Sequence, residues 1–479
     1  MGMGKRASER QRDLFIATDE LAQSQGHPFY RKLNELLAES DFDRYVEAIC
    51  APYYEAGGPG RPSIPPGTYF RMLFIGYFEG IDSQRGIDWR CNDSLSLREF
   101  LGIALTEQTP DHSTLTRTRQ RLPLKIHEQV FEFVLKVAND KKLLSPETIA
   151  VDATTLEANA AMKSIVRKDT GEDWHQYVIR LMREEGVVGP NDDDPSDEDI
   201  RRFDKKRKKK VSNDDWESKT DSAARITKMK DGRTHLAYKA EHAIDLKSEI
   251  ILAACILPAN YADCDTLIDT VMEAQAHLNA AAVVDPTNPQ PRDEVKVASA
   301  DAPKIQEVVA DKGYHKASTI ELADDLGLRT YIPERREKHK RRWDDKPVSQ
   351  RTAVVNNRRR VRREKSKRLQ RLRSERVERS FAHVCETGSS RRTWLRGFEN
   401  VSKRYLMQTA ARNLGLILRQ LFGIGKPRTL QTDGWDAALA IFYALWATWN
   451  RFWSSQATKN ATTPNMDSIQ AAKLAALTI

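Results

Sequence analysis

Two carboxylates stand at matching points of this chain. Asp152 ends the run Thr148-Ile149-Ala150-Val151, and Asp311 ends Val308-Val309-Ala310. Apolar runs of this kind, bounded by polar or Gly signals, read as buried strands of an α/β sheet. Each strand would deliver its carboxylate at the exit, and two such groups brought together could share a divalent metal. The simpler alternative for either is a core strand that ends in a turn aspartate.

A third carboxylate comes from a very basic stretch, expected to be a helix from about Arg358 to His383. Between Arg351 and Arg379 there are thirteen Arg or Lys against three Glu, so an acidic side chain facing the core there calls for a reason. Glu375 and Glu378 lie one turn apart, and Val377 and Phe381 make that turn partly buried. The competing explanation is an ordinary salt bridge, for example Glu375 with Arg371 or Arg379.

The elements that must position these groups follow from periodicity. Thr234–Asp245 and Glu249–Pro258, joined at Lys247-Ser248, read as a hairpin. Asp263 and Asp265 lead into a helix from Thr266 to Leu278, most simply as helix-start residues, although either could lie near the site. His235 and His242 read as structural. A Pro-rich loop, Pro286 to Pro303, precedes the Asp311 strand. A helix from Ser318 to Leu326 and a strand from Arg329 to Pro333 follow. Strand, hairpin, helix, strand, helix, strand is the order of a ribonuclease-H-like mixed sheet with flanking helices, although periodicity alone does not single that fold out among α/β possibilities.

Ahead of the sheet, residues 28–145 carry helical spacing, and residues 1–25 are polar and expected to be loosely ordered. Ser94 to Leu101, a turn, and then a short helix capped at Thr109 with Pro110 in its first position suggest a helix-turn-helix. Arg117 and Arg119 on that second helix suit phosphate and base-edge contacts. An ordinary solvated helix is the alternative. Residues 163–232 hold an acidic run, Asp192 to Asp199, and a basic one, Lys205 to Lys210, and read as a charged, solvated insertion. Glu399 to Phe422 reads as an amphipathic helix that packs on the sheet. Trp435 to Trp453 is an aromatic-rich tail for core or dimer contact, with base stacking as a weaker option. The expected division is therefore 1–145 (helical, DNA-binding), 146–425 (ribonuclease-H-like) and 426–479 (helical tail).

Composition bounds the partners. The chain has 479 residues, 77 basic against 68 acidic and a net charge of +9, a balance that favours a polyanion without dictating a fold. Its five cysteines are scattered with no C-x-x-C pair, which supports neither a disulfide framework nor a cysteine zinc site and fits a reducing compartment. No apolar segment follows the N-terminal Met-Gly-Met-Gly-Lys-Arg, and the longest apolar run, Ala437 to Ala447, is too short to span a bilayer. The expectation is a soluble, cytoplasmic protein with no membrane partner.

The chain resembles bacterial insertion-sequence transposases of the DDE class. The matching stretches are Ile149 to Thr154, Val309 to Tyr314, Val377 to Phe381, and Arg391 to Gly397 leading into Asn400 to Tyr405. Phe42-Asp43 and Gly60-Arg61-Pro62 resemble the helical domain that begins such enzymes. The resemblance covers most of residues 28–420 and implies that Asp152, Asp311 and Glu378 are the catalytic, metal-holding carboxylates. The chain also departs from the pattern. Relatives often carry a Tyr and an Arg seven and four residues before the Glu and a Lys seven after it, where this chain has Arg371, Ser374 and Cys385. Arg373 or Lys403 would then take over phosphate contacts, and Glu375 stays a rival to Glu378.

What the resemblance implies chemically is phosphodiester cleavage with Mg²⁺, or Mn²⁺ in its place, held by Asp152 as a bridge and by Asp311 and Glu378. Water frees a 3′-hydroxyl at the transposon end, and that hydroxyl attacks target DNA. Arg371 and Arg373 on the basic helix would lie along the DNA backbone, making binding salt-dependent. The expected partner is double-stranded DNA, as terminal inverted repeats and target, bound by a homodimer on paired ends. A metal-dependent nuclease without strand transfer and a DNA-binding protein with an inactive domain are the alternatives.

Overall fold

The computed structural model describes residues 27–55, 63–190, 192–207, 212–229, 231–285, 302–335 and 346–427. The polar N-terminal stretch, Gly60-Arg61-Pro62, Lys208 to Lys210, most of the Pro-rich loop and the Trp435–Trp453 tail lie outside the described residues.

Among the described residues, seven α-helices come first: α1 (Pro28–Glu39), α2 (Phe42–Cys50), α3 (Pro66–Glu79), α4 (Gln84–Asn92), α5 (Leu95–Leu101), α6 (His112–Arg121) and α7 (Leu124–Asp140). Apolar side chains at helical spacing explain α1, which buries Phe29, Leu33, Leu36 and Leu37. Helix α3 is buried almost all round, through Tyr69, Phe70, Met72, Phe74, Ile75, Tyr77 and Phe78, and is the centre of this region. The start of α6 differs from the expected one. Asp111, not Thr109, is the cap: its Oδ1 accepts from Thr114 N at 2.6 Å and from Ser113 Oγ at 2.8 Å. A carboxylate is the stronger acceptor for the free N–H groups of a first turn. Thr109 is instead buried, with its hydroxyl on Asn92.

The sheet begins with β1 (Thr148–Glu157). The charged insertion follows, and it is structured: β2 (Ile165–Arg167), α8 (Trp174–Glu184), α9 (Asp197–Lys206) and β3 (Trp216–Ser218), with β2 and β3 paired antiparallel. Its small core joins Val178, Ile179 and Met182 of α8 to Ile200 of α9. The charge runs that suggested a solvated loop in fact begin and end a helix, as far as they are described. Asp197, Glu198 and Asp199 fill the first turn of α9 and Lys205 and Lys206 its last, the arrangement that its macrodipole favours.

Four further elements lead back to the core: β4 (Arg225–Lys228), β5 (Thr234–Asp245), β6 (Ile251–Pro258) and α10 (Asp263–Val283). Then come β7 (Glu307–Val309), α11 (Ala317–Asp325), β8 (Arg329–Tyr331), α12 (Val348–Val361), α13 (Glu364–Ala382) and α14 (Phe398–Phe422). The main sheet runs β4-β5-β1-β7-β8, and β6 pairs with β5. Strand β5 is antiparallel to β1 and β6, whereas β7 is parallel to β1 and β8 parallel to β7. This mixed sheet has the expected ribonuclease-H-like order.

The basic stretch forms two helices rather than one. Arg363 is extended (φ −80°, ψ 155°) and caps α13, so the chain turns between them. Helix α12 is tied to the sheet by Asn357, whose amide bonds both the N–H and the C=O of Ile332 at 3.2 and 2.8 Å.

Successive residues of a strand face opposite sides of a sheet, and β5 shows what covers each. Glu241 accepts from Thr266 and Thr270 of α10 on one side. His242 meets Ser380 of α13 at 2.9 Å and Tyr405 of α14 at 2.7 Å on the other, with Phe381 stacked on its ring at 4.1 Å. One continuous core runs from the N-terminal helices through the sheet to α14. Among the described residues, no helix is long and apolar enough to cross a membrane.

Candidate active site

Strand register sets the first relationship. Ala150 pairs with Val309 across the parallel β1–β7 ladder. Asp152 and Asp311 each stand two residues beyond that pair. Asp311 follows the end of β7, whereas Asp152 is not at a strand exit as expected: β1 continues to Glu157, held by its antiparallel partner β5, and Asp152 lies where β1 outruns its ladder with β7. Asp311 turns back on its own chain, accepting from Gly313 N at 2.6 Å. Asp152 accepts from Ala153 N at 2.9 Å and from Arg373 Nη1 at 2.6 Å. Burial pushes the Asp152 carboxyl up, Arg373 opposes the rise, and the negative charges of Asp311 and Asp263 add to it. The three aspartates therefore act on one another electrostatically.

Asp263 is the residue that the sequence reading left undecided. It sits in the first turn of α10, as a helix-start residue would. It also comes close to the strand carboxylates: a Cβ built on Gly313 would lie 2.8 Å from Asp311 Oδ1 and 3.1 Å from Asp263 Oδ2. Lys239 Nζ holds Asp263 at 2.8 Å and Glu241 at 3.3 Å. Glu241 is fully buried and also accepts from Tyr314 at 2.7 Å. Lys239 and Glu241 went unremarked in the sequence, although two charged residues at i, i+2 of a strand share one face of it. Asp265 is exposed and pairs with Lys316 at 2.6 Å.

The third carboxylate is placed differently. Glu378 is exposed and accepts from Ser374 Oγ at 3.2 Å, the hydroxyl four residues before it. Glu375 is also exposed and is bound to Arg379, the salt bridge weighed for it from sequence. Arg379 is held in turn by Glu249 at 2.6 Å. Both glutamates lie on α13, the helix that brings Arg373 to Asp152. Among the described residues, no three His, Cys, Asp or Glu side chains are grouped closely enough to hold a metal ion. The donor chemistry of the aspartates nevertheless suits a hard cation: oxygen ligands, adjacent like charges, and a guanidinium balancing one of them.

The basic residues considered for DNA fall into two sets. Arg117 and Arg371 are exposed. Arg119 is buried, with Nε on Asn400 Oδ1 at 3.2 Å, and Lys403 is buried, donating to Arg119 O at 3.1 Å and pairing with Glu399 at 2.7 Å. These two join α6 to α14. Arg373 is occupied by Asp152. Cys385, at the position where relatives often carry a Lys, is buried.

Residues 17–121 match the family described as Transposase domain (DUF772), and residues 143–414 match the family described as Transposase DDE domain. No curated protein and no solved structure matches the chain.

Proposed function

Because this chain belongs to the Transposase DDE domain family, a family of DNA transposases, we propose that it cuts the ends of an insertion sequence and joins them to target DNA. Asp152, Asp311 and Glu378 are the proposed catalytic carboxylates. The observation that carries the reading is the level placement of Asp152 and Asp311, each two residues beyond the Ala150–Val309 pair of the parallel β1–β7 ladder, with Asp311 and Asp263 both felt at Asp152.

Divalent metal, Mg²⁺ or Mn²⁺, would supply activation of the attacking oxygen and stabilisation of the leaving oxyanion. Asp152 and Asp311 would hold it from the strands, with Glu378 contributed by α13. In the first step a water oxygen bonds to phosphorus as the bond to the 3′-oxygen breaks, and that oxygen leaves as a 3′-hydroxyl. In the second, the hydroxyl bonds to a target phosphorus and displaces the target's own 3′-oxygen. Arg117 and Arg371, both exposed, are proposed backbone contacts. A homodimer on paired inverted repeats is the proposed assembly, with residues 1–145 as the DNA-binding part.

Strand-transfer assays on labelled terminal-repeat DNA with Mg²⁺ test this. Joined product is expected from the parent, and its loss by roughly three orders of magnitude from Asp152→Asn or Asp311→Asn, since metal stabilisation of the transition state contributes several kcal/mol. Cleavage without joining would point to a nuclease instead. Joining that survives Asp152→Asn would remove Asp152 from the site.

A further inference from the structure

A second site lies away from the aspartates, where α13 ends and α14 passes beneath the β5–β6 turn. A cavity of about 350 Å³ opens there, lined by Arg379, Arg412, Arg419, His383, Lys426 and Glu249 among others. Four of these side chains are permanent cations and one is an anion.

Arg412 is the informative member. It is 3% exposed, and Nη1 donates to Glu249 O at 2.8 Å. Its Nε and Nη2 are buried and have no hydrogen-bond partner among the described residues. Those two nitrogens form one edge of the guanidinium and are closed to solvent, so it is the charge of Arg412 that bears on the cavity. Burying such donors unsatisfied is costly, and burying the charge without a counter-ion costs more. Glu249, the one acid in the lining, is already held by Arg379 at 2.6 Å. The same charges converge on His383. Burial lowers its pKa, and Lys426, Arg412, Arg379 and Arg419 lower it further, to about 4, so the imidazole there is neutral and adds no charge.

We propose that this cavity is a binding site for a phosphate group, held by the cations that line it, with Arg412 and Arg379 inside and Arg419 and Lys426 at its mouth. The site is separate from the carboxylates proposed for cleavage and does not depend on their assignment. The phosphate has two possible sources, a free anion or a phosphate of bound DNA, and one experiment distinguishes them.

Calorimetric titration of the full chain with inorganic phosphate, against a chloride control of equal ionic strength, is expected to show saturable one-to-one binding. Arg412→Met should abolish it, and Arg419→Ala with Lys426→Ala should weaken it about tenfold or more by removing two cations from the mouth. These two rim changes serve if Arg412→Met does not fold. Repeating the titration on protein saturated with a 5′-phosphorylated duplex separates the sources. Loss of the phosphate signal assigns the site to a DNA phosphate, and an unchanged signal assigns it to the free anion. No saturable binding to the parent protein, or binding that survives the rim changes, overturns the proposal.

Discussion

Arg373 Nη1 lies 2.6 Å from Asp152 Oδ2, so a side chain of the basic helix neutralises the carboxylate just beyond the β1–β7 ladder. The pair ties α13 to β1 through charge. It also puts a guanidinium where a metal-binding carboxylate would meet its cation. Arg373 and a divalent ion would then compete for one oxygen of Asp152.

Arg373→Gln tests that competition. Without the guanidinium, Asp152 keeps the charges of Asp311 and Asp263 nearby and loses its cation. The variant is expected to lose about 1–3 kcal/mol of stability in metal-free buffer, less than a fully buried pair because Asp152 is partly exposed. Mg²⁺ should restore most of that loss. Urea unfolding with and without Mg²⁺ measures it, and an identical Mg²⁺ response in parent and variant would show that the two cations do not compete.

The choice between Glu378 and Glu375 rests on a paired comparison. Both are exposed, so neither Gln variant should change the melting temperature appreciably. Glu378→Gln is expected to reduce strand joining by about a hundredfold or more, and Glu375→Gln, which only breaks the pair with Arg379, by about twofold at most. The reverse order of effects would move the third carboxylate to Glu375.

Gly313→Ala should act on the site rather than on the fold. The added methyl would sit 2.8 Å from Asp311 Oδ1 and 3.1 Å from Asp263 Oδ2, and both are side-chain atoms at a half-buried surface. The carboxylates would have to move, at a stability cost of about 1 kcal/mol. Mn²⁺ affinity, followed by electron paramagnetic resonance, is expected to fall several-fold. Unchanged affinity would show that Asp311 is not a ligand.

His277 offers a pH test of the core. Its Nδ1 meets Leu252 O at 2.9 Å and its Nε2 meets Glu273 at 3.3 Å. Burial alone would lower its pKa, but the Glu273 carboxylate outweighs burial and raises it from 6.5 to about 9. A histidine raised on folding contributes stability that is fully present below pH 6.5 and is lost as pH rises through about 9. His277→Gln should therefore cost about 1–3 kcal/mol near pH 6, and the gap to the parent should narrow near pH 9.5. A pH-independent gap in urea midpoints would mean the imidazole is neutral throughout.

Much of this fold was legible because its elements are built from local patterns. The β5–β6 hairpin and α14 begin and end within two residues of where the spacing of apolar side chains puts them. The insertion was misread because charge runs were weighed by composition, when their order, acid first and base last, was a helix signal. The single basic helix was misread because arginine is a good helix former and nothing local marks the break at Arg363.

The sequence by itself determined the class. Asp152 and Asp311 after matching apolar runs, the strand and helix order around them, and the stretches shared with DDE transposases are all properties of short segments. Only the tertiary structure decided what those carboxylates meet. Arg373 is 221 residues from Asp152, and Asp263 and Lys239 reach the site from separate elements. Arg119 and Lys403, basic and polar in the sequence, are interior struts. A side chain's partner depends on which elements the core brings together, and periodicity along the chain does not carry that information.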